Sequence, residues 1–145
     1  MQIIIINGPN LNLLGKRQPE IYGTTSFDDY FYNLEKEFPE FNLHYYQSNH
    51  EGDIIDKLHQ VGFTYDGIVL NAGGFTHTSI AIADALLAIT TPVVEVHLTD
   101  IYKRESFRHI NYVKNSAIWS VVGLGLEGYK QAIQYLKVNV IMNKL

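Results

Sequence analysis

Five short apolar runs, separated by stretches of helical periodicity, leave this chain of 145 residues few folds to adopt. Gln2 to Ile6 is almost pure isoleucine, the composition of a strand covered on both faces. Asn42 to Gln47, Asp66 to Leu70, Val93 to Leu98 and Ala117 to Val122 follow, each far enough from the last for a crossover helix. Ser26 can cap the first helix, with Asp28 and Asp29 in its first turn, Phe27, Phe31, Leu34 and Phe38 along one face, and Pro39 ending it. Ser48 and Glu51 form a capping-box pattern ahead of Ile54, Ile55, Leu58 and Val61, with Gly62 beyond. From about Thr78 to Ile89 the helical pattern is apolar nearly all round, so it is expected to be buried, within the chain or between subunits. Tyr129, Ala132, Ile133 and Leu136 set the last helix. The alternation predicts an α/β fold: a doubly wound, five-stranded parallel sheet with right-handed crossovers and helices on both faces.

Such sheets bind ligands beyond the carboxyl ends of their strands, at the topological switch point. Three polar clusters fall at that edge. The first, NGPNLNLLGKRQPEIYG from Asn7 to Gly23, is long for a strand-to-helix loop, and little in it looks made for packing. It pairs Arg17 with Tyr22. A guanidinium beside a phenol favours the phenolate, which makes the pair a candidate general base in a lid spanning about 15–24. The bland alternative is a surface tyrosine covering a neighbour.

The second cluster, NAGGFTHTS from Asn71 to Ser79, lets backbone approach a ligand closely and places His77 where it could donate to a substrate hydroxyl. It also reads as a simple Gly-rich turn capped by Thr76, Thr78 or Ser79. In the third, Glu95 and His97 lie two apart on a strand and share a face, so the carboxylate can orient a protonated imidazole as general acid. A buried polar pair without catalytic duty is the alternative. His77, Glu95 and His97 could instead hold zinc or manganese, although no metalloenzyme spacing supports it. Arg108, near Lys103, Arg104 and Glu105, is either an anion or hydroxyl contact or part of a solvated charge run. Asp84, seven residues after His77, is a lone carboxylate on an apolar helix and suggests an inter-subunit contact. His44, His50 and His59 read as structural or surface residues.

Composition narrows the function classes. A net charge of −4 without a basic run argues against nucleic acid, and the absence of cysteine removes disulfides and thiolate catalysis. The glycines match neither a dinucleotide fingerprint nor a P-loop. MQIIIING lacks a basic n-region and is too short to span a bilayer, so no membrane association and a cytoplasmic location are expected. The length suits one catalytic domain, 1–145.

Assembled, NGPNLNLLGKRQPEIYG, NAGGFTHTSIAIADAL, EVHLTD and FRH before GLGLEGY resemble the type II 3-dehydroquinate dehydratases over essentially the whole length. The resemblance implies a flavodoxin-like fold, a homododecamer built as a tetramer of trimers, and elimination of water from 3-dehydroquinate without metal, Schiff base or other cofactor. It implies that Tyr22, activated by Arg17, takes a proton from C2, that Asn10 acts on the enolate through a water, and that His97, oriented by Glu95, protonates the leaving hydroxyl. By the same resemblance Asn71, His77 and Arg108 hold substrate hydroxyls, the backbone N–H groups of Leu98 and Thr99 hold its carboxylate, and Asp84 reaches a neighbouring subunit's site. The chain departs from the family pattern at Gln18, Ala72, Phe75, Thr99, Asp100 and Ile110. Gln18 and Asp100 alter charge near the expected mouth. A non-catalytic module binding a small anion is the competing class.

Overall fold

Ile3, Ile4, Ile5 and Ile6 are all but sealed from solvent, because β1 (Gln2–Asn7) lies inside the sheet with a strand on either side. The computed structural model describes residues 1–144. Its remaining strands are β2 (Asn42–Gln47), β3 (Gly67–Asn71), β4 (Val93–His97) and β5 (Trp119–Val122). All pair in parallel in the order β2-β1-β3-β4-β5, with Ile4 opposite His44 and Ile68, Val69 opposite Val94, and Val96 opposite Val121. This is the flavodoxin-like order, and the switch point falls between β1 and β3.

Alternate isoleucines of β1 feed two cores. Ile3 and Ile5 join Phe27 and Leu34 of α2 (Phe27–Glu37) and Tyr129, Ile133 and Leu136 of α5 (Glu127–Leu136). Ile4 and Ile6 join Ile54 and Leu58 of α3 (Glu51–Val61) and Ile82 and Leu86 of α4 (Ile80–Ala88). The sheet is therefore wound on both faces, and each buried isoleucine contributes about 1.5–3 kcal/mol.

Several local expectations need correction. The loop after β1 is partly ordered, with a 3-10 turn at Leu11–Leu13 and a single helical turn, α1 (Pro19–Tyr22). Leu11 and Leu14 are buried in the α2–α5 core, so this segment does pack. Ser26 caps α2 as expected, accepting from the Asp29 N–H at 3.2 Å. The capping box at Ser48 does not form, because α3 starts at Glu51 and the serine is too far upstream. Ser48 Oγ instead accepts from the His50 N–H (3.0 Å) and donates to Asp53 (2.9 Å). A 3-10 turn at Gly73–His77 delays α4, which Ser79 caps by accepting from the Ile82 N–H at 2.9 Å. Only one side of α4 is buried in the chain, and Ile80 and Leu87 remain 59% and 71% exposed. Among the described residues no helix is long and apolar enough to cross a membrane.

Where β1 and β3 end, the backbone must come very close. The Gly8 N–H donates to the Asn71 carbonyl at 2.7 Å, and a Cβ on Gly8 would sit 2.4 Å from the Ala72 oxygen. The obstacle is backbone and cannot rotate away. Gly8→Ala is expected to cost at least the 1–3 kcal/mol typical of overpacking, read as a lower urea midpoint at unchanged m-value. A midpoint equal to the parent's would mean that the two turns separate freely.

Candidate active site

The three clusters converge on one cavity of about 200 Å³ beyond the carboxyl ends of β1, β3 and β4. The loop after β1 supplies Asn10, Arg17 and Tyr22. The β3 end supplies Asn71 and the turn carrying His77. His97 ends β4, with Leu98 and Thr99 immediately beyond it and Arg108 further along the connection to β5. Of the expected site residues, Glu95 and Asp84 do not line it.

Glu95 lies behind His97. Their side chains share a face of β4 and meet at 2.5 Å, His97 Nε2 on Glu95 Oε1, with both residues buried. A buried carboxylate of this kind must be paired or hydrogen-bonded. A second donor, Asn111 Nδ2, reaches the same oxygen at 2.7 Å.

His77 packs its ring near that of His97, with centroids 6.5 Å apart and planes 25° from parallel. Its Nδ1 lies 2.7 Å from the Ile110 carbonyl, which can only accept, so Nδ1 carries the proton. Burial, with smaller contributions from His97 and Arg108, pushes the His77 titration below the ordinary histidine range, against the opposing bond to Ile110. The neutral ring thus offers Nε2 as an acceptor, where the sequence suggested a donor.

Tyr22 is held by two cations. Arg17 lies over its ring at 4.6 Å, a cation–π contact rather than a bond to the hydroxyl. The hydroxyl accepts instead from Arg104 Nη1 at 2.9 Å. Sequence reasoning missed Arg104, because KRES reads as a solvated charge run. Burial separates the neighbours: the Lys103 side chain is 84% exposed and that of Arg104 only 19%. Arg104 also lies 3.4 Å from the Thr99 hydroxyl, so it links Tyr22 to the β4 end.

Asn71 is fixed by a buried relay. Its Nδ2 donates to the Tyr129 hydroxyl (2.9 Å), which donates to Asn7 Oδ1 (2.8 Å). Burial drives the Tyr129 titration far upward, so it remains a neutral phenol. Asn71 Oδ1 accepts from the Gly73 N–H at 3.2 Å and keeps a second lone pair. Arg108 is tied to Glu105 at 2.6 Å. Asn10 adopts a left-handed conformation, φ 68°, and its N–H donates to Asn49 Oδ1 at 3.0 Å.

Two departures resolve locally. Asp100 caps the turn Ile101–Lys103 through the Tyr102 N–H (3.0 Å) and does not line the cavity. Gln18 takes a left-handed conformation and meets Arg17 only at 3.5 Å. Asp84 is exposed on α4 outside the cavity. His77 precedes that helix in a separate turn, so their seven-residue spacing does not place them on one helical face. Among the described residues no three His, Asp or Glu side chains group to hold a metal ion.

A flavodoxin-like sheet with a cationic cavity at its switch point, a phenol between guanidiniums and a buried imidazole–carboxylate pair define an α/β protein equipped for proton transfer on a small anion. The chain belongs to the Dehydroquinase class II family, whose model matches residues 1–137. A Bacillus licheniformis protein named 3-dehydroquinate dehydratase is 51% identical over 139 residues, covering 92% of this chain and 93% of that protein. An Aspergillus clavatus protein named catabolic 3-dehydroquinase is 45% identical over 139 residues, covering 94% and 93%. The crystal structure of type II dehydroquinase from Butyrivibrio crossotus matches with a TM-score of 0.88 at 44% identity, over 94% of this chain and 97% of that one.

Tyr129→Phe is expected to strand two buried amide groups, at about 1–3 kcal/mol each, and to raise KM because Asn71 loses its anchor. Chemical denaturation with steady-state kinetics checks both. Because the folded His77 titrates below 6.5, the unfolded chain takes up this proton first as pH falls, so the group withdraws stability with acidification. Urea melts through the window below 6.5 should show a shallower loss in His77→Asn than in the parent.

Proposed function

We infer that this chain is a type II 3-dehydroquinate dehydratase, a hydro-lyase that converts 3-dehydroquinate to 3-dehydroshikimate through an enolate. The observation that carries the mechanism is the arrangement around one cavity of Tyr22, bonded to Arg104 under the Arg17 guanidinium, and of His97 on buried Glu95. One half supplies a base and the other an acid.

The phenolate of Tyr22 takes the proton from C2, and the C–H pair moves onto the C3 carbonyl as an enolate. Asn10, through a water, stabilises that oxygen. The enolate then collapses, the bond from C1 to its hydroxyl breaks, and His97 protonates the departing oxygen so that it leaves as water. Glu95 stabilises the imidazolium beforehand and keeps the ring aimed. The proton left on Tyr22 returns through solvent to His97, which closes the cycle. These steps call for no cofactor. Asn71, neutral His77 and Arg108 hold hydroxyls, and the backbone N–H groups of Leu98 and Thr99 hold the carboxylate. Arg104 joins Arg17 as activator of the base, since its bond falls on the reacting oxygen.

The same reading treats 1–145 as a single catalytic domain with a lid over about 15–24, working in the cytoplasm as a homododecamer, a tetramer of trimers. The exposed Ile80 and Leu87 of α4 support burial against another copy. Asp84 lies on that helix and would reach a neighbouring subunit's site. Light scattering after size exclusion checks the assembly; a monomer at micromolar concentration would remove both claims.

Turnover is tested by mixing the protein with 3-dehydroquinate and excess chelator and following the conjugated enone by ultraviolet absorbance. The parent should turn over with chelator present, while Tyr22→Phe and His97→Ala should each lose about 10²–10⁴-fold in kcat. Arg104→Ala should lose more kcat than KM. An inactive parent that still binds the substrate would favour a non-catalytic binding module, and loss only with chelator would point to a metal.

A further inference from the structure

The connection from β4 to β5 holds a residue whose amide serves two masters. Asn111 Oδ1 accepts from the N–H groups of Val113 (2.9 Å) and Lys114 (3.0 Å). Two donors on the oxygen leave the amide one orientation, with Nδ2 as a donor facing away from that turn. It falls 2.7 Å from Glu95 Oε1, the same atom that meets His97. The other oxygen, Oε2, has no hydrogen-bond partner among the described residues.

We propose that Asn111 is a positioning residue for the acid half of the site, fixing the Glu95 carboxylate so that His97 presents its opposite ring nitrogen to the leaving group. A glutamate has three side-chain torsions, and the contact to His97 alone cannot fix them, since both partners could turn together. A second donor anchored in a different element can. The anchor is firm: Val113 is fully buried, and the Tyr112 N–H donates to the Thr76 carbonyl at 3.0 Å. The preceding residue, Ile110, supplies the carbonyl that fixes the His77 tautomer. One short stretch, 110–113, thereby orients both imidazoles of the site.

A turn-capping role would need only Oδ1, and substitutions can separate the two functions. Asn111→Asp keeps an acceptor for Val113 and Lys114 but replaces the donor with a carboxylate facing Glu95. Asn111→Ala removes both. The other charged or titratable groups around the pair are His77 across the ring stack, Arg108 beside it, and Arg17, Tyr22 and Arg104 across the cavity. Leu70 and Ser120, the strand partners of Glu95, do not titrate in this range, and Tyr129 of α5 is committed to the asparagines.

This inference rests on His97 being the acid, so the test has a readout independent of turnover. Asn111→Asp, its folding checked by circular dichroism, should lose about 10–100-fold in kcat, with KM within about threefold. The added negative charge should shift the alkaline limb of its kcat profile to higher pH. In ¹⁵N-histidine NMR the His97 ring should titrate at higher pH than in the parent, whether or not the enzyme turns over. A variant with parental kcat, parental alkaline limb and unchanged His97 titration overturns the proposal and leaves Asn111 a turn cap. If Asn111→Ala fails to fold, Asn111→Asp alone decides. If His97→Ala keeps full turnover, the acid assignment falls, while the NMR shift still reports whether Asn111 governs this pair.

Discussion

The hydroxyl of Tyr129 ties together parts of the chain that are 122 residues apart. Its ring is fully buried against Phe27, 4.9 Å between centroids, while its oxygen joins Asn7 at the end of β1 to Asn71 at the end of β3. Two asparagine side chains inside a sheet would each be costly without partners. Given this one phenol, they become a clamp across the switch point. The Gly8 to Asn71 bond adds a backbone tie at the same place. The cavity sits on this clamp, so the positions of Asn10 and Asn71 follow from the core beneath them.

Above the clamp the electrostatics run against the molecule's net charge of −4. Arg17, Arg104 and Arg108 line the cavity, and among the described residues no Asp or Glu does. Such local focusing favours a small anion even on an acidic protein. The three guanidiniums are not equivalent. Arg108 is already neutralised by Glu105, Arg17 lies on the ring face of Tyr22, and Arg104 alone donates to the phenolic oxygen. In the proposed reaction charge develops on that oxygen before the proton transfer, which gives Arg104 the most direct stake in the chemistry.

How far the sequence could be read depended on whether a residue's role is set locally. The strands were legible because isoleucine and valine runs declare burial on both faces, and Glu95 with His97 were legible because a spacing of two on a strand puts side chains on one face. Arg104 was not, since nothing local distinguishes it from Lys103; only the fold brings it to a tyrosine 82 residues away. Asn111 was hidden for the same reason. The capping pattern at Ser48 failed in the opposite direction: a valid local motif lost to a helix that begins later. Asp84 and the outer face of α4 lie between these cases, because their reading depends on a surface the single chain does not cover.

The two imidazoles show how one loop can divide labour within a site. They stack 6.5 Å apart, His97 buried and His77 half-buried, and their partners differ in kind. Ile110 offers His77 a carbonyl, which fixes a tautomer while burial keeps the ring neutral; Glu95 offers His97 a carboxylate, which suits an imidazolium. Two adjacent cationic rings would repel, so a neutral His77 makes room for a charged neighbour. The stretch that fixes one ring's tautomer by its backbone also braces the other's carboxylate by its side chain. Moving the 110–113 segment would therefore disturb both histidines at once, and their roles cannot drift apart independently.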